Sequence, residues 1–378
     1  MKILFVNPAS GIASEYPSQL GGTEFQVHGL STRMAKHGHH LHAAGRFEGM
    51  REKERIDEGV HLINIQIPRI RGNTVLDPGY LLLYSKYVCK VINDIEPDVV
   101  SLNDRFSAYY PSKMNVPKTF TLHNPEALEF YRDFAISCNY LNKVFFNVKK
   151  MLDFRVMNRS DTIVALTDSV AGFVHKKGFK NVVVIPNGVS PEQYSNSGDG
   201  NFVMFAGRLN KVKGISFLVE AFSQVAKEFN TKLVIIGSGP EEHRLKSLAR
   251  SLNLGNSVQF IPALNHNDLL NYLSKCSLFV LPSIFETMGI TMLEAMASGK
   301  PVVASNIAGP NEVISHGRNG LLFERGNSID LKSQIEEVLT NPEMRRRLGR
   351  EARRTIVERF AFETTSRQLE GVFDRIVK

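Results

Sequence analysis

The 378-residue chain is 43% hydrophobic and 22% charged, the balance of a soluble globular protein and too long for one comfortable core. Its net charge of +8 divides into +5 before residue 190 and +3 after it. That is too even for the basic stripe of a nucleic-acid surface, and the 9% of aromatics contain no RNA-binding signature.

The chain enters a strand-like run at once, Lys2–Asn7, with none of the charged, apolar and small-residue regions of a secretion signal. Cys89, Cys138 and Cys276 lie far apart without a C-x-x-C pair, so neither a zinc site nor a disulfide framework is expected and the cytoplasm is the expected location. No apolar run approaches the roughly 18–20 residues of a membrane span.

Further strand candidates follow at His61–Pro68, Asp98–Asn103, Lys118–Asn124, Asp161–Thr167 and Val182–Pro186, with amphipathic helical stretches at Glu24–His37 and Val75–Ile92. Residues 186–200, PNGVSPEQYSNSGDG, read as an interdomain linker. A second alternation starts there, with strands expected at Asn201–Gly207, Thr231–Gly237, Ser257–Ile261, Ser277–Pro282 and Lys300–Ala304. Ile215, Leu218, Phe222, Val225 and Phe229 mark one buried helix face. The chain ends in a long charged helical stretch, Pro342–Lys378. Short apolar runs alternating with helices imply two tandem doubly wound α/β domains.

In such folds ligands bind beyond the carboxyl ends of the strands. Arg208 ends the strand 201–207 and Lys213 precedes the next helix. Two cations in a phosphate-sized loop suit a diphosphate, although surface Arg and Lys more often are merely solvated. Glu286 follows the strand 277–282, and Glu294 is the sole charged residue between Thr287 and Gly299. A carboxylate among Met, Ile, Leu and Ala needs hydrogen-bond donors, which ribose hydroxyls supply. Otherwise it faces solvent. The amides near Met288, Gly289, Ile290 and Thr291 open that helix and suit an anion. Gly237-Ser238-Gly239 lacks a third glycine and is followed by Pro240-Glu241-Glu242, so it reads as a tight turn and not a dinucleotide fingerprint.

Gly207-Arg208…Lys213-Gly214 and Glu286-x7-Glu294 resemble glycosyltransferase family 4, retaining transferases of the GT-B fold. The resemblance also takes in Gly21-Gly22, Pro186-Asn187-Gly188-Val189, the turn 237–241, Lys300–Ala304 and Gly309-Pro310-Asn311-Glu312. It implies two Rossmann-like domains facing each other across a cleft. Residues 1–188 plus about 360–378 would bind the acceptor, and 189–359 the donor. It also implies roles: Arg208 and Lys213 on the diphosphate, Glu294 on the ribose, Glu286 on the donor sugar, His123 near the transferred sugar, and Gly21 and Gly22 in a loop whose amides approach the donor. Pro310 stands where many relatives carry a second glycine.

The donor is then a UDP-, GDP- or ADP-sugar, and the acceptor a glycan, lipid-linked molecule or small molecule. The absence of a D-x-D triplet or a clustered His/Cys set implies transfer without metal or other cofactor. Two rivals are a nucleotide-sugar epimerase of the same fold, which needs no acceptor, and a non-catalytic nucleotide-sugar binding protein. Finally, 132–159 carries six basic residues against two acidic ones, with Leu141, Phe145, Val148 and Leu152 on one helical face. Either this face packs on the domain core, or the helix makes peripheral contact with the inner membrane face.

Overall fold

The first apolar run, Lys2–Val6 (β1), has Ile3, Leu4, Phe5 and Val6 fully enclosed, which requires a sheet covered on both faces. In the computed structural model, which describes residues 1–7, 12–13, 22–48, 50, 52–67, 78–123 and 140–378, two such sheets are built. The chain divides into two units, Met1–Gly188 with Phe362–Lys378, and Val189–Ala361.

The first unit runs α1 (Gly22–Lys36), β2 (His40–Gly45), β3 (Glu54–Asp57), β4 (Val60–Asn64), α2 (Pro78–Ile95), β5 (Val99–Leu102), β6 (Lys118–Leu122), α3 (Tyr140–Met157), β7 (Thr162–Ala165), α4 (Asp168–Lys176) and β8 (Val182–Val184). Its sheet has the order β8-β7-β6-β5-β1-β2-β4-β3. All neighbours are parallel except the edge pair β3–β4. Neither β2 nor β3 belongs to the strands expected from sequence. HLHAAG lacks an apolar run, and ERID is a charged edge strand.

In the second unit the order of elements is β9 (Phe202–Ala206), α5 (Ile215–Glu228), β10 (Lys232–Ile236), α6 (Glu242–Ser251), β11 (Val258–Ile261), α7 (His266–Lys275), β12 (Leu278–Leu281), α8 (Ile290–Ala297), β13 (Val302–Ser305), β14 (Leu321–Phe323), α9 (Ser328–Thr340) and α10 (Pro342–Arg359). The sheet is wholly parallel, β11-β10-β9-β12-β13-β14. Strand order reverses at β9, between β10 and β12, which opens a crevice at the carboxyl ends of β9 and β12.

The division between the units falls inside the expected linker 186–200, but from Val189 onward that segment belongs to the second unit, with Val189 and Tyr194 buried. One expectation needs correction. The charged C-terminal stretch is two helices, α10 and α11 (Phe362–Val377), because Ala361 bridges to Val189 and the Val189 N–H donates to the Phe360 carbonyl. Spending these backbone groups on a distant segment breaks the helix.

α11 belongs to the first unit, where Leu369, Val372 and Phe373 pack with Ile3, Phe5 and Val27. His37 reinforces its docking, with Nδ1 2.7 Å from Glu370 Oε1 and Nε2 3.3 Å from Glu363 Oε2. On the other face, α3 turns Leu152, Val156 and Met157 into the core. Its buried Asp153 lies 3.1 Å from Arg105. Over these residues the apolar face is a packing face. Arg132 and Asp133 lie outside the described residues, as do the side chains of Leu141, Lys143 and Phe145.

The ring of Phe362 is 2% exposed and lies where any side chain at Gly29 or Gly188 would stand, since an added Cβ would meet it at 2.1 and 2.7 Å. Phe362→Ala therefore opens a cavity without disturbing the second unit, and should cost about 3–5 kcal/mol. Urea unfolding followed by a probe in the first unit checks this. A loss below about 1 kcal/mol would contradict the account of α11 as part of that core.

Candidate functional site

Short loops leave the carboxyl ends of β9 and β12, and the backbone locks them together. Gly214 (φ +59°) lies so close to the Pro282 carbonyl that a Cβ would meet the oxygen at 2.1 Å, and the Ile284 N–H donates to the Val212 carbonyl at 2.8 Å. From the other side Gly309 (φ +94°) meets the carbonyls of Thr287 and Glu286, 2.5 and 2.7 Å from an added Cβ. Left-handed backbone and close approach both require glycine there. Gly237-Ser238-Gly239 is likewise a packed turn, its Ser238 carbonyl accepting from the Leu209 N–H.

These contacts bring Lys213 and Glu286 together: Nζ to Oε2 is 2.5 Å, and Ser283 Oγ donates to the same oxygen at 3.3 Å. The pair is largely shielded, with side chains 24% and 11% exposed, so its attraction is stronger than in water. An ammonium has three donors and Glu286 takes one. Arg208, by contrast, is exposed beyond β9, and its guanidinium has no hydrogen bond or ion pair among the described residues. Next to the pair, α8 begins at Gly289 (φ +79°) after buried Met288, and the N–H groups of Ile290 and Thr291 open its first turn.

Glu294 sits within α8 and is 4% exposed. The chain itself supplies a donor: Tyr194 OH donates to Oε1 at 3.0 Å, with His266 Nδ1 nearby, 3.6 Å from the same oxygen. Burial raises its pKa from 4.5 to about 7, against the opposing effect of the Tyr194 hydrogen bond. Burial and the neighbouring Glu294 push the Tyr194 hydroxyl well above its ordinary value.

The corresponding edge of the first unit carries Asn7 after β1, Asn103 after β5 and His123 after β6. Asn103 Nδ2 donates to the carbonyls of Val6 and Ser101 at 3.3 and 3.1 Å, which turns its Oδ1 to His123 Nε2, 3.2 Å away. Burial lowers the His123 pKa to about 4, so the ring is neutral near pH 7. An accepting Oδ1 requires Nε2 to carry the proton, leaving Nδ1 as the acceptor. The side-chain amide of Asn7 is buried with no hydrogen-bond partner among the described residues. Gly22 opens α1, and Gly21 lies outside the described residues.

Sequence reasoning passed over Tyr194, His266, Ser283, Asn7 and Asn103. Asn7 and Asn103 stand directly after strands, a signal that could have found them. Nothing local marks Tyr194, one hundred residues before its partner. Among the described residues no group of three or more His, Cys, Asp or Glu side chains is placed to hold a metal ion. None of the described helices is long and apolar enough to cross a membrane.

Two family models cover most of the chain: "Glycosyl transferases group 1" matches residues 189–355, and "Glycosyltransferase Family 4" matches 20–193. An uncharacterized glycosyltransferase of Methanocaldococcus jannaschii is 26% identical over 363 residues, 96% of this chain and 97% of that protein. Sucrose-phosphate synthase from Thermosynechococcus elongatus superposes with a TM-score of 0.84 at 20% identity, covering 99% of this chain and 98% of that one. Anabaena HepE, solved in complex with UDP and glucose, superposes with a TM-score of 0.76 at 20% identity, with 99% of each chain covered. Both are structures of the two-domain parallel-sheet architecture.

Because the Glu294 carboxyl holds its proton in the folded unit up to about pH 7, and in the unfolded chain only to about 4.5, its burial costs stability progressively as pH rises through that window. Glu294→Gln keeps the shape and an acceptor for Tyr194 but cannot ionise. It should match wild type near pH 4 and exceed it by about 1–3 kcal/mol at pH 8. Parallel stability profiles by urea unfolding would remove Glu294 as the titrating group.

Proposed function

The chain belongs to glycosyltransferase family 4, and on that footing we propose that it is a retaining, metal-independent transferase that moves a sugar from a nucleotide diphosphate sugar to an acceptor hydroxyl. The observation that carries this reading is the Lys213–Glu286 pair, held at the strand-order reversal of the second sheet. We assign the diphosphate to Lys213 and Arg208 with the first amides of α8, a preorganised positive field where the leaving group gains charge. Diphosphate binding draws Lys213 away from Glu286 and frees that carboxylate for the donor sugar's hydroxyls. The ribose is assigned to Glu294, through the carboxyl oxygen that Tyr194 and His266 leave unaddressed.

The first unit is assigned to the acceptor side, with neutral His123 near the transferred sugar and Asn103 as its positioning residue. The acceptor is a glycan, a lipid-linked molecule or a small molecule, and the reaction belongs in the cytoplasm.

Thermal shift against UDP, GDP and ADP tests the donor reading: one of them should raise the melting temperature, since a ligand at about 100 times its Kd adds about 2.7 kcal/mol. Lys213→Ala should weaken that binding roughly 10–100-fold, as for loss of a hydrogen bond to a charged group. Glu286→Gln should act mainly on the intact sugar nucleotide. No shift with any of the three nucleotides would refute the assignment.

Activity should persist in EDTA. Loss restored by magnesium or manganese would overturn the metal-independent reading. Asn103→Ala should lower kcat about tenfold or more while leaving nucleotide affinity unchanged, as expected of a group acting through a general acid or base. An equal loss of nucleotide affinity would mark its effect as structural.

A further inference from the structure

At the amino edge of the second sheet, opposite the Lys213–Glu286 pair, a cavity of about 600 Å³ opens between the segment before β9, the turn before β13 and one face of α10. Five arginines line it against two acidic residues, Asp199 and Glu358. Three of the arginines are engaged. Arg345 Nε is 3.0 Å from Asp199 and Arg354 Nε 2.8 Å from Glu358. Arg353 donates to the carbonyls of Tyr194, Ala297 and Pro191, fastening α10 to the floor.

Arg346 and Arg350 are different. Four residues apart on α10, they point from one helix face, and neither side chain has a hydrogen bond or ion pair among the described residues. The turn that carries them is rigidly seated, because a Cβ on Gly349 would meet the Gly299 carbonyl oxygen at 2.2 Å. The fully buried Lys300 adds a positive charge in the adjoining floor, its Nζ held by Asn196 Oδ1 at 2.8 Å and the Gly198 carbonyl at 2.6 Å.

We propose that this cavity is a second binding site, for a phosphate-bearing anion whose phosphoryl group lies between Arg346 and Arg350. Planar guanidinium groups match phosphate oxygens two at a time, and the volume lies within the roughly 300–1,000 Å³ typical of small-molecule sites. Either a free phosphorylated compound or a phospholipid headgroup presents this chemistry. The site shares no residue with the one assigned to the donor, and it stands whether or not that assignment does.

Calorimetric titration with inorganic pyrophosphate separates the two sites. Wild type and Lys213→Ala should both retain an exothermic binding event that Arg346→Glu/Arg350→Glu weakens about tenfold or more. Arg346→Lys/Arg350→Lys, which keeps the charge but loses the fork, should fall between. All variants must melt cooperatively near the wild-type temperature, as expected for exposed side chains.

Co-sedimentation with vesicles of phosphatidic acid in phosphatidylcholine, against phosphatidylcholine alone, identifies the source. Sedimentation with the anionic vesicles that the double Glu variant abolishes assigns a headgroup. Pyrophosphate binding without sedimentation assigns a soluble ligand. Pyrophosphate affinity and vesicle binding both unchanged in the double Glu variant would overturn the proposal.

Discussion

The arrangement of the second unit's charged residues depends on backbone approaching backbone with nothing between. The loops after β9 and β12 come into contact because Gly214 has no side chain to hold the Pro282 carbonyl away, and Gly309 presses on the Glu286 and Thr287 carbonyls from the far side. Lys213 and Glu286, 73 residues apart, become an ion pair as a result. A parallel sheet makes such a meeting available only at one edge, because every strand delivers its following loop to the same side. The polar chemistry gathers there, while the strands behind it are closed to water.

Desolvation then sets the charge states, in opposite directions on two kinds of group. It holds the Glu294 carboxyl near a pKa of about 7 and the His123 ring near about 4. Both shifts favour the uncharged form. In each case one neighbour fixes which atom is engaged: the Tyr194 hydroxyl addresses one oxygen of Glu294, and Asn103 addresses one nitrogen of His123. An engaged atom orients the group and leaves its other polar atom outside that contact. The Lys213–Glu286 pair is the contrasting case, with both partners charged and each compensating the other.

Much of the architecture is written locally. Runs such as KILFV, FVMFA and LFVL announce strands buried on both faces, and their spacing by helical stretches announces parallel sheets. HLHAAG does not, because two histidines and three small residues leave no apolar run; its place between β1 and β4 makes it a strand. The break between α10 and α11 is equally illegible in ERFAFE, since its cause is Val189, some 170 residues earlier. Candidate polar residues at strand ends were legible from their position. Their partners were not: Tyr194 sits in a segment whose composition reads as linker, yet its hydroxyl reaches Glu294.

The first unit is assembled from both extremities of the chain, with the entire second unit intercalated between Gly188 and Phe362. This ordering matters while the protein is being made. The second unit is contiguous and can condense as it leaves the ribosome. The first cannot, because Phe362, Leu369, Val372 and Phe373, which cover Ile3, Phe5 and Val27, have yet to be translated. At roughly 5–20 residues per second, the stretch of about 185 residues from Val189 to Phe373 takes on the order of 10–40 s. Throughout that interval α1 alone covers that face of the nascent sheet, and the hydrophobic surface that α11 will occupy stays open to chaperones or premature association.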